Sequence, residues 1–385
     1  MLHFQIHQRS QLQKIVQKIL HHIVTVADFF PVIFFFGGFA WDAYTVGRHV
    51  AVQDLFVFTA YLMTAGLILY MIGRPSYALV DDSKLPKWIY NVYTRMNWHR
   101  FHWEGIPYFL LQFIFGNLLS ALFILYFKSA SHGLAWLMVA MLGILLVANE
   151  YLENEYRRFT LSWALFGLCT MLLFNFVLPF LLGSIHPAWF YISTLLGLGS
   201  TYWLYKNTPN HLGSIIPVWL IAITLMLAYR ADIIPPVPLV KRNIAVAYAV
   251  EKINGKYTLT QQASRPLVFW RKTSNHLVVV PGQRVYCISS IFAPSGLHTK
   301  LYHRWQFYDS KLGWQTKSRP DFTLAGGREH GYRWFSYYEG LKTGDWRVGI
   351  ETENHQTLAV FDFSVEVVKD KASSISNSTI TRFFD

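Results

Sequence analysis

Three groups of residues in this chain have the types and spacing to do chemistry. The first is Ala-Gly-Gly-Arg-Glu-His-Gly-Tyr-Arg-Trp, residues 325–334. Gly326 and Gly327 permit positive φ and close backbone approach, and Arg328 and Arg333 offer two guanidinium forks beside Tyr332 and Trp334. Such a surface grips a carboxylate, phosphate or sugar while a ring stacks on the ligand. The same residues also read as a glycine turn entering a strand, its arginines stacked on Trp305 or Trp314 and paired with Asp309 or Asp321. The second group is Asn149, Glu150, Glu153, Asn154, Glu155, Arg157 and Arg158. Clustered carboxylates beside arginines suit a metal or an acid–base pair. However, His99 and His102 lie in a loop without His-Glu-x-x-His spacing, so a salt-bridged helix end is the simpler reading. The third is Asp42, in Phe-Gly-Gly-Phe-Ala-Trp-Asp near the end of an apolar block. It is either an interfacial carboxylate flanked by Trp41 and Tyr44 or, with Gly37 and Gly38 letting helices approach, the partner of a buried polar group.

None of these amounts to a complete catalytic set. No Walker loop, dinucleotide fingerprint or nucleophile elbow is present, so no catalytic residue, cofactor or metal is expected. Cys169 falls in an apolar helix and Cys287 in a strand, which argues against a disulfide framework and a thiol-based site. The net charge of +12 is concentrated in loops flanking apolar blocks, where anionic lipid head groups account for it without nucleic acid.

The elements that must position these groups differ between the two halves of the chain. Over half the residues, 53%, are apolar and only 15% are charged, and the two kinds are segregated. Apolar blocks at 26–46, 53–73, 105–127, 132–150, 159–182, 187–206 and 212–230 each approach the ~20 residues that cross a ~30 Å hydrocarbon core. The spacing therefore predicts an α-helical transmembrane bundle of about seven spans over 26–230, preceded by an amphipathic interfacial helix over 1–25. Lys14, Lys18, Arg74, Lys84, Lys87, Arg95, Arg100, Arg157, Arg158 and Lys206 fall in alternate loops. By the positive-inside rule this puts the N-terminus in the cytoplasm and the C-terminal domain outside. Ile-Ile-Pro-Pro-Val-Pro, within 231–240, reads as a stiff, extended linker. From 241 to 368 the period changes to two, as in Trp346/Val348/Ile350, Phe361/Phe363/Val365 and Trp305/Phe307. This predicts an all-β, immunoglobulin-like sandwich without a disulfide, followed by a disordered tail over 369–385, rich in Ser and Asn.

Gly-Gly-Arg-Glu-His-Gly-Tyr-Arg, the later Gly-Asp-Trp-Arg-Val and Phe-Asp-Phe-Ser-Val, and the preceding His303-Arg304-Trp305 resemble the bacterial domain of unknown function 2914. The helical half is similar to multi-pass membrane proteins that carry that domain, through Gly38 to Asp42, Gln112-Phe113-Ile114-Phe115-Gly116, Lys128-Ser129-Ala130-Ser131 and Asn149-Glu150. The family has no assigned activity. The resemblance adds His303 and Trp305 to the candidate ligand residues Arg328, Tyr332, Arg333 and Trp334.

The expectation is a non-enzymatic inner-membrane protein. Membrane lipids surround its helices, and its periplasmic sandwich binds a partner protein or an anionic glycan or lipid head group. The rival is a membrane-embedded enzyme or transporter for a lipid-linked substrate, acting through Asp42 or through the Asn149-Glu150 cluster.

Overall fold

The computed structural model describes residues 39–40, 44, 52–72, 106–209, 212–253, 256–263, 274–328, 330–368 and 379–384. Asp42, the expected interfacial helix over 1–25 and most of the first expected span lie outside them. The chain divides into two compact units, 1–48 and 49–385, and the elements below all belong to the second.

Six of the seven apolar blocks fall on described residues, and all six are helical: α1 (Val52–Ile72), α2 (Ile106–Ser129), α3 (Ala135–Asn149), α5 (Thr160–Leu182), α6 (Pro187–Asn207) and α7 (Ile216–Arg230), with the short α4 (Glu153–Tyr156) between α3 and α5. Helix α5 is the centre of the bundle, with Trp163, Cys169, Met171 and Phe176 all buried. A β-carbon at Gly197 would lie 2.8 Å from the Met171 Cα, and one at Gly167 would lie 2.6 Å from Val218, so α6 and α7 close onto α5 at glycines. The expected seven spans are corrected downward. Among the described residues only Gln53–Ile72, Pro107–Ser129 and Thr160–Leu182 are long and apolar enough to cross a membrane by length and composition. Helices α3 and α7 have 15 residues each, about 22 Å of rise against a ~30 Å core. Helix α6 is longer but is diluted by Ser193, Thr194, Ser200, Thr201 and Lys206.

Twelve strands follow: β1 (Val240–Ala247), β2 (Ala249–Ile253), β3 (Lys256–Gln262), β4 (His276–Val279), β5 (Arg284–Phe292), β6 (His298–Asp309), β7 (Gly313–Ser318), β8 (Asp321–Ala325), β9 (Tyr332–Glu339), β10 (Gly344–Thr352), β11 (Thr357–Val367) and β12 (Thr379–Phe384). A six-stranded sheet of order β4-β11-β10-β6-β7, with β8 also on β6, packs on a three-stranded sheet β1-β5-β9. Side-chain alternation builds the sandwich core. Trp305, Trp346, Val348, Ile350, Phe363 and Val365 from the larger sheet meet Ile244, Val246, Val285, Cys287 and Ile291 from the smaller. The opposite faces of β1 and β5 present Ala245, Ala247 and Ile288 to a third sheet, β12-β3-β2, through Leu259 and Phe384. Over β1 and β5 the smaller sheet is thus a middle layer covered on both faces, while Phe335 and Tyr337 on the outer face of β9 stay exposed.

Two expectations fail here. Residues 379–384 of the expected disordered tail form β12, which pairs with β3 from Thr379↔Gln262 to Phe384↔Tyr257 and buries Phe384. The Ser/Asn-rich composition hid a short amphipathic strand, Thr-Ile-Thr-Arg-Phe-Phe. The Pro-rich 231–240 segment is not an extended exit, because Ile234, Val237 and Leu239 are buried and Leu239 N–H donates to Pro236 O at 3.1 Å.

The linker is instead part of a joint between helices and sandwich. Asp232, at φ 58°, accepts from Thr357 N–H through Oδ1 at 3.0 Å, and its backbone oxygen lies 2.8 Å from His132 Nε2. Gln356 Nε2 donates to Tyr229 O at 3.0 Å, Ser131 Oγ bonds Leu358 O, and His298 N–H donates to Gly183 O at 2.9 Å. Because Phe384 seals the third sheet, Phe384→Ala is expected to lower unfolding free energy by about 3 kcal/mol, read by chemical denaturation; an unchanged midpoint would show that β12 is not part of the folded unit.

An arginine and aromatic face on the six-stranded sheet

The residues that do converge lie on the outward face of the six-stranded sheet, in rows set by strand register. The row farthest from the helices runs His276, Ser364, Asp345, Tyr308, Trp314, and the next runs Asp362, Arg347, Gln306, Thr316. Arg304 follows, opposite Gly349, and then Tyr302 opposite Glu351. Period-two alternation makes this face, because the partners of these residues in sequence, such as Trp305, Phe307, Trp346 and Val348, point into the sandwich. A β-carbon at Gly349 would meet Arg304 Nε at 4.0 Å, so the glycine leaves the arginine room to lie across the sheet.

Glu351 anchors the end of the face near the helices. Its carboxylate is wholly buried, with Arg319 Nε at 2.6 Å from Oε1, Arg304 Nε at 3.1 Å from Oε2 and His355 Nδ1 at 3.3 Å from Oε1. The Arg319 contact is an aligned hydrogen bond; the Arg304 contact is close in distance but not aligned as one. Arg319 also lies 3.9 Å over the Tyr302 ring and reaches Thr352 O and Glu353 O at 3.3 Å. Arg347 lies 4.1 Å over Trp314 and donates to Gln306 Oε1 at 2.8 Å. Burial, and then the neighbouring Arg304, hold the Arg347 guanidinium below its usual pKa, with Asp362 pulling the other way. The Arg319 and Arg347 guanidinium groups are therefore fixed in plane by hydrogen bonds and aromatic rings, with Arg304 held beside them by charge, which lowers the ordering cost of binding.

The residues expected from sequence do not assemble into one ligand surface. Tyr332 and Trp334 pack against the sandwich core, Trp334 stacking on Phe322 at 4.3 Å. Arg333 sits between them on β9 and so projects to the other side of the sheet, where its Nε is buried without a hydrogen-bond partner among the described residues. Arg328 is exposed and lies 4.8 Å over Tyr332. The competing reading fails in its partners too. Trp314 is taken by Arg347, Asp321 pairs with Lys300 at 3.6 Å, and Asp309 accepts from Lys311 N–H at 2.9 Å. Trp305 is wholly buried and donates to Ser336 Oγ at 3.0 Å.

His303 is a core residue. Its Nε2 lies 2.8 Å from Ser289 Oγ and its Nδ1 lies 2.9 Å from Ser336 Oγ, with Trp334 and Phe322 against the ring. The serine–histidine contact has the length of a nucleophile–base pair, but both residues are fully buried and the sandwich closes over them. Burial lowers the His303 pKa from 6.5 to about 3. In the helices, Asn149 is consumed by structure: Nδ2 donates to Gln112 O at 3.1 Å, Gln112 Nε2 returns a bond to Asn149 O at 2.9 Å, and Tyr156 OH donates to Asn149 Oδ1. Glu150 lies exposed beyond the end of α3, and Glu155 pairs with Arg158 at 3.2 Å, as a salt-bridged helix end would. Among the described residues no cluster of histidine, cysteine and carboxylate side chains could hold a metal ion.

Residues 298–365 match the family described as "Protein of unknown function (DUF2914)". The matched segment runs from β6 into β11 and supplies Arg304, Arg319, Arg347 and Glu351. No curated protein matches the chain. Among solved structures, a β-glucosidase from Listeria innocua in complex with gluconolactone is 12% identical, covers 30% of this chain and 17% of its own, and has a TM-score of 0.19. An immunoglobulin-like protein from Pseudomonas aeruginosa is 11% identical over 32% of this chain and 97% of its own, with a TM-score of 0.18. A Bifidobacterium adolescentis GH3 β-glucosidase is 8% identical over 34% of this chain and 19% of its own, also at 0.18. This chain thus spans under a fifth of either β-glucosidase, and likenesses of this size carry no activity across.

Two outcomes follow from the buried groups. Unfolded chains bind a proton at His303 below its ordinary pKa of 6.5 while the folded chain does not until about 3. Its share of stability is therefore full above 6.5 and is lost as pH falls through that window, about 2 kcal/mol by pH 5. Denaturant unfolding at pH 7.5 and 5 is expected to show this loss in the native protein and to lack it in His303→Gln. Arg319→Ala strips the aligned partner from a buried carboxylate and is expected to cost about 2 kcal/mol, part of which Glu351→Gln restores on that background. Equal melting temperatures for Arg319→Ala and the native protein would mean that Arg304 and His355 suffice for Glu351.

Proposed function

We propose that this protein is a membrane-anchored, non-enzymatic binding module. Its helices cross the inner membrane as a multi-pass anchor, and its sandwich stands on the periplasmic side and recognises a partner protein or an anionic glycan or lipid head group. The observation that carries the binding reading is the outward face of the six-stranded sheet, where Arg304, Arg319 and Arg347 are held in place by Glu351, Gln306, Tyr302 and Trp314. Braced guanidinium groups beside aromatic rings suit carboxylate, sulfate or phosphate, which they bind through paired hydrogen bonds.

The anchor reading is supported by the apolar belt of the bundle. Phe56, Met63, Ile144, Leu181, Trp203 and Leu227 are each more than 60% exposed, at 71, 71, 68, 73, 66 and 65%. Water would penalise such a belt, and hydrocarbon would not. The ends of α2, α5 and α7 that meet the sandwich, near Ser131, Gly183 and Asp232, lie away from the Arg157 and Arg158 end. The basic loop and the sandwich on opposite sides agree with the positive-inside assignment.

The test is a binding titration of the full chain in nanodiscs against dextran sulfate and a poly-glutamate peptide. Arg347→Gln is expected to weaken binding of the recognised probe about ten-fold, while Leu312→Cys, in an exposed turn, is labelled by an impermeant maleimide from outside intact cells. Binding of neither probe would refute anion recognition, and labelling of Leu312→Cys only after permeabilisation would reverse the orientation.

A further inference from the structure

Strand β9 is an edge of the three-stranded sheet, paired with β5 and with no other described strand. Along its open side the backbone N–H and C=O groups meet no hydrogen-bond partner among the described residues. A row of such groups is a template for another strand, and folded proteins blunt it by shortness, charge, proline or a bulge. The other edges carry those devices. Strands β4 and β8 have four and five residues, β2 holds Glu251 and Lys252, β7 holds Lys317, β12 holds Arg382, and β1 opens on charged residues with its register broken between Lys241 and Asn243. Strand β9 runs eight residues, Tyr-Arg-Trp-Phe-Ser-Tyr-Tyr-Glu, in unbroken register with β5 and without proline or lysine. Phe335 and Tyr337 on its outer face are 39 and 49% exposed.

The outer face of β9 indicates what an added strand carries. Arg333, Phe335 and Tyr337 alternate along it. Arg333 has neither a hydrogen bond nor an ion pair with the described residues, and its Nε is buried. Arg284, by contrast, is spent on Glu339 at 3.1 Å and on the Tyr337 ring at 4.9 Å. Phe335 meets Tyr257 and Tyr286 at ring-centroid distances of 6.4 and 6.1 Å on the side of the third sheet and β5, which leaves its other side open. Side chains two residues apart share a face of a strand, so a carboxylate and an apolar side chain at that spacing would stand beside Arg333 and Phe335. A second copy of the chain does not fit this edge. Two identical edges joined by a two-fold axis pair antiparallel, with the axis perpendicular to the sheet. Strand β9 starts at the helical end, where Tyr332 stands opposite Ile291 and the next residue, Phe292, opposite Val240, the first strand residue after the linker. It runs away from that end, so the second copy's helices would lie at the far end of the joined sheet, out of reach of the same membrane.

We propose that β9 takes up an extended, acidic segment of a partner protein as an added strand. Main-chain hydrogen bonds along the open edge supply affinity, and Arg333 and Phe335 select a carboxylate two residues from an apolar side chain. This surface is separate from the arginine face, which lies on the other sheet, and it rests on the membrane-anchor reading only in setting aside a second copy.

The test uses the full chain in nanodiscs and calorimetric titration with acetylated Thr-Val-Glu-Val-Phe-Val-Thr amide and with the same peptide carrying Lys in place of Glu. Two further forms of the Glu peptide are N-methylated, one at its valines and one at Glu and Phe, so that each loses the N–H donors of one edge. The expected result is saturable binding of the Glu peptide and of one methylated form but not the other, with the Lys peptide about ten-fold weaker. Arg333→Glu is expected to reverse the preference between Glu and Lys peptides, and its retained binding of the Lys peptide shows that the variant is folded. Phe335→Lys is expected to weaken the Glu peptide about ten-fold at an unchanged melting temperature. No binding of the Glu peptide, equal binding of the two methylated forms, or an unaltered preference in Arg333→Glu would each overturn the proposal. A dimer of the native chain in detergent that Phe335→Lys dissociates would assign the edge to a second copy and overturn it as well. Since dextran sulfate reports on Arg347, failure of the peptides with dextran sulfate binding intact would fault the edge alone.

Discussion

Asp232 is where the two halves of the molecule become one. Its backbone takes a left-handed conformation that aspartate tolerates better than most residues, which turns the chain sharply at the end of α7. In that turn the carboxylate accepts the Thr357 N–H at the start of β11, while the carbonyl meets His132 after α2. One residue thus ties a helix end, a helix–helix connection and a central strand of the six-stranded sheet. Backbone groups at such ends need partners, and here each half satisfies the other. The rows of the arginine face inherit their direction from this joint, since β10 and β11 meet in the turn that Gln356 and Thr357 fasten to the helices.

That joint also explains what the amino-acid sequence displays and what it conceals. The helical blocks were legible because a nearly all-round apolar composition leaves no other way to satisfy the backbone, and the core strands were legible from Trp346, Val348, Ile350, Phe363 and Val365. Strands β7 and β8 were not. Gly-Trp-Gln-Thr-Lys-Ser has no apolar alternation, because β7 lines the edge of β6 with both faces partly wet. The proline-rich segment reads as an exit by local conformation alone, and only tertiary packing buries Ile234 and Leu239.

The binding face was less legible than the fold. A glycine-flanked arginine pair draws attention because its residues are neighbours in sequence, yet Arg333 and Trp334 must lie on opposite sides of a strand, and that much was readable from a period of two. Arg304, Arg319, Arg347 and Glu351 are scattered over two strands and a turn, and only register unites them. The available signal was Arg304 between His303 and Trp305, and Arg347 between Trp346 and Val348: charged residues that alternate with the most buried side chains of the domain. His303 shows the converse. A polar residue in phase with Leu301 and Trp305 belongs to the core, and its two serine partners are what the core supplies to keep it neutral.

The covered middle sheet has a consequence for reactivity. Strand β5 is its centre, flanked by β1 and β9 and packed from above and below, and Cys287 sits within it fully buried, its thiol pushed up by burial. A thiol reagent reaches that sulfur only when neighbouring layers separate. Cys169 occupies the equivalent position in the bundle, enclosed within α5. The chain therefore carries one silent thiol in each half, and the rate at which each becomes alkylated is an intrinsic clock for the opening of the layers around it, with no label added.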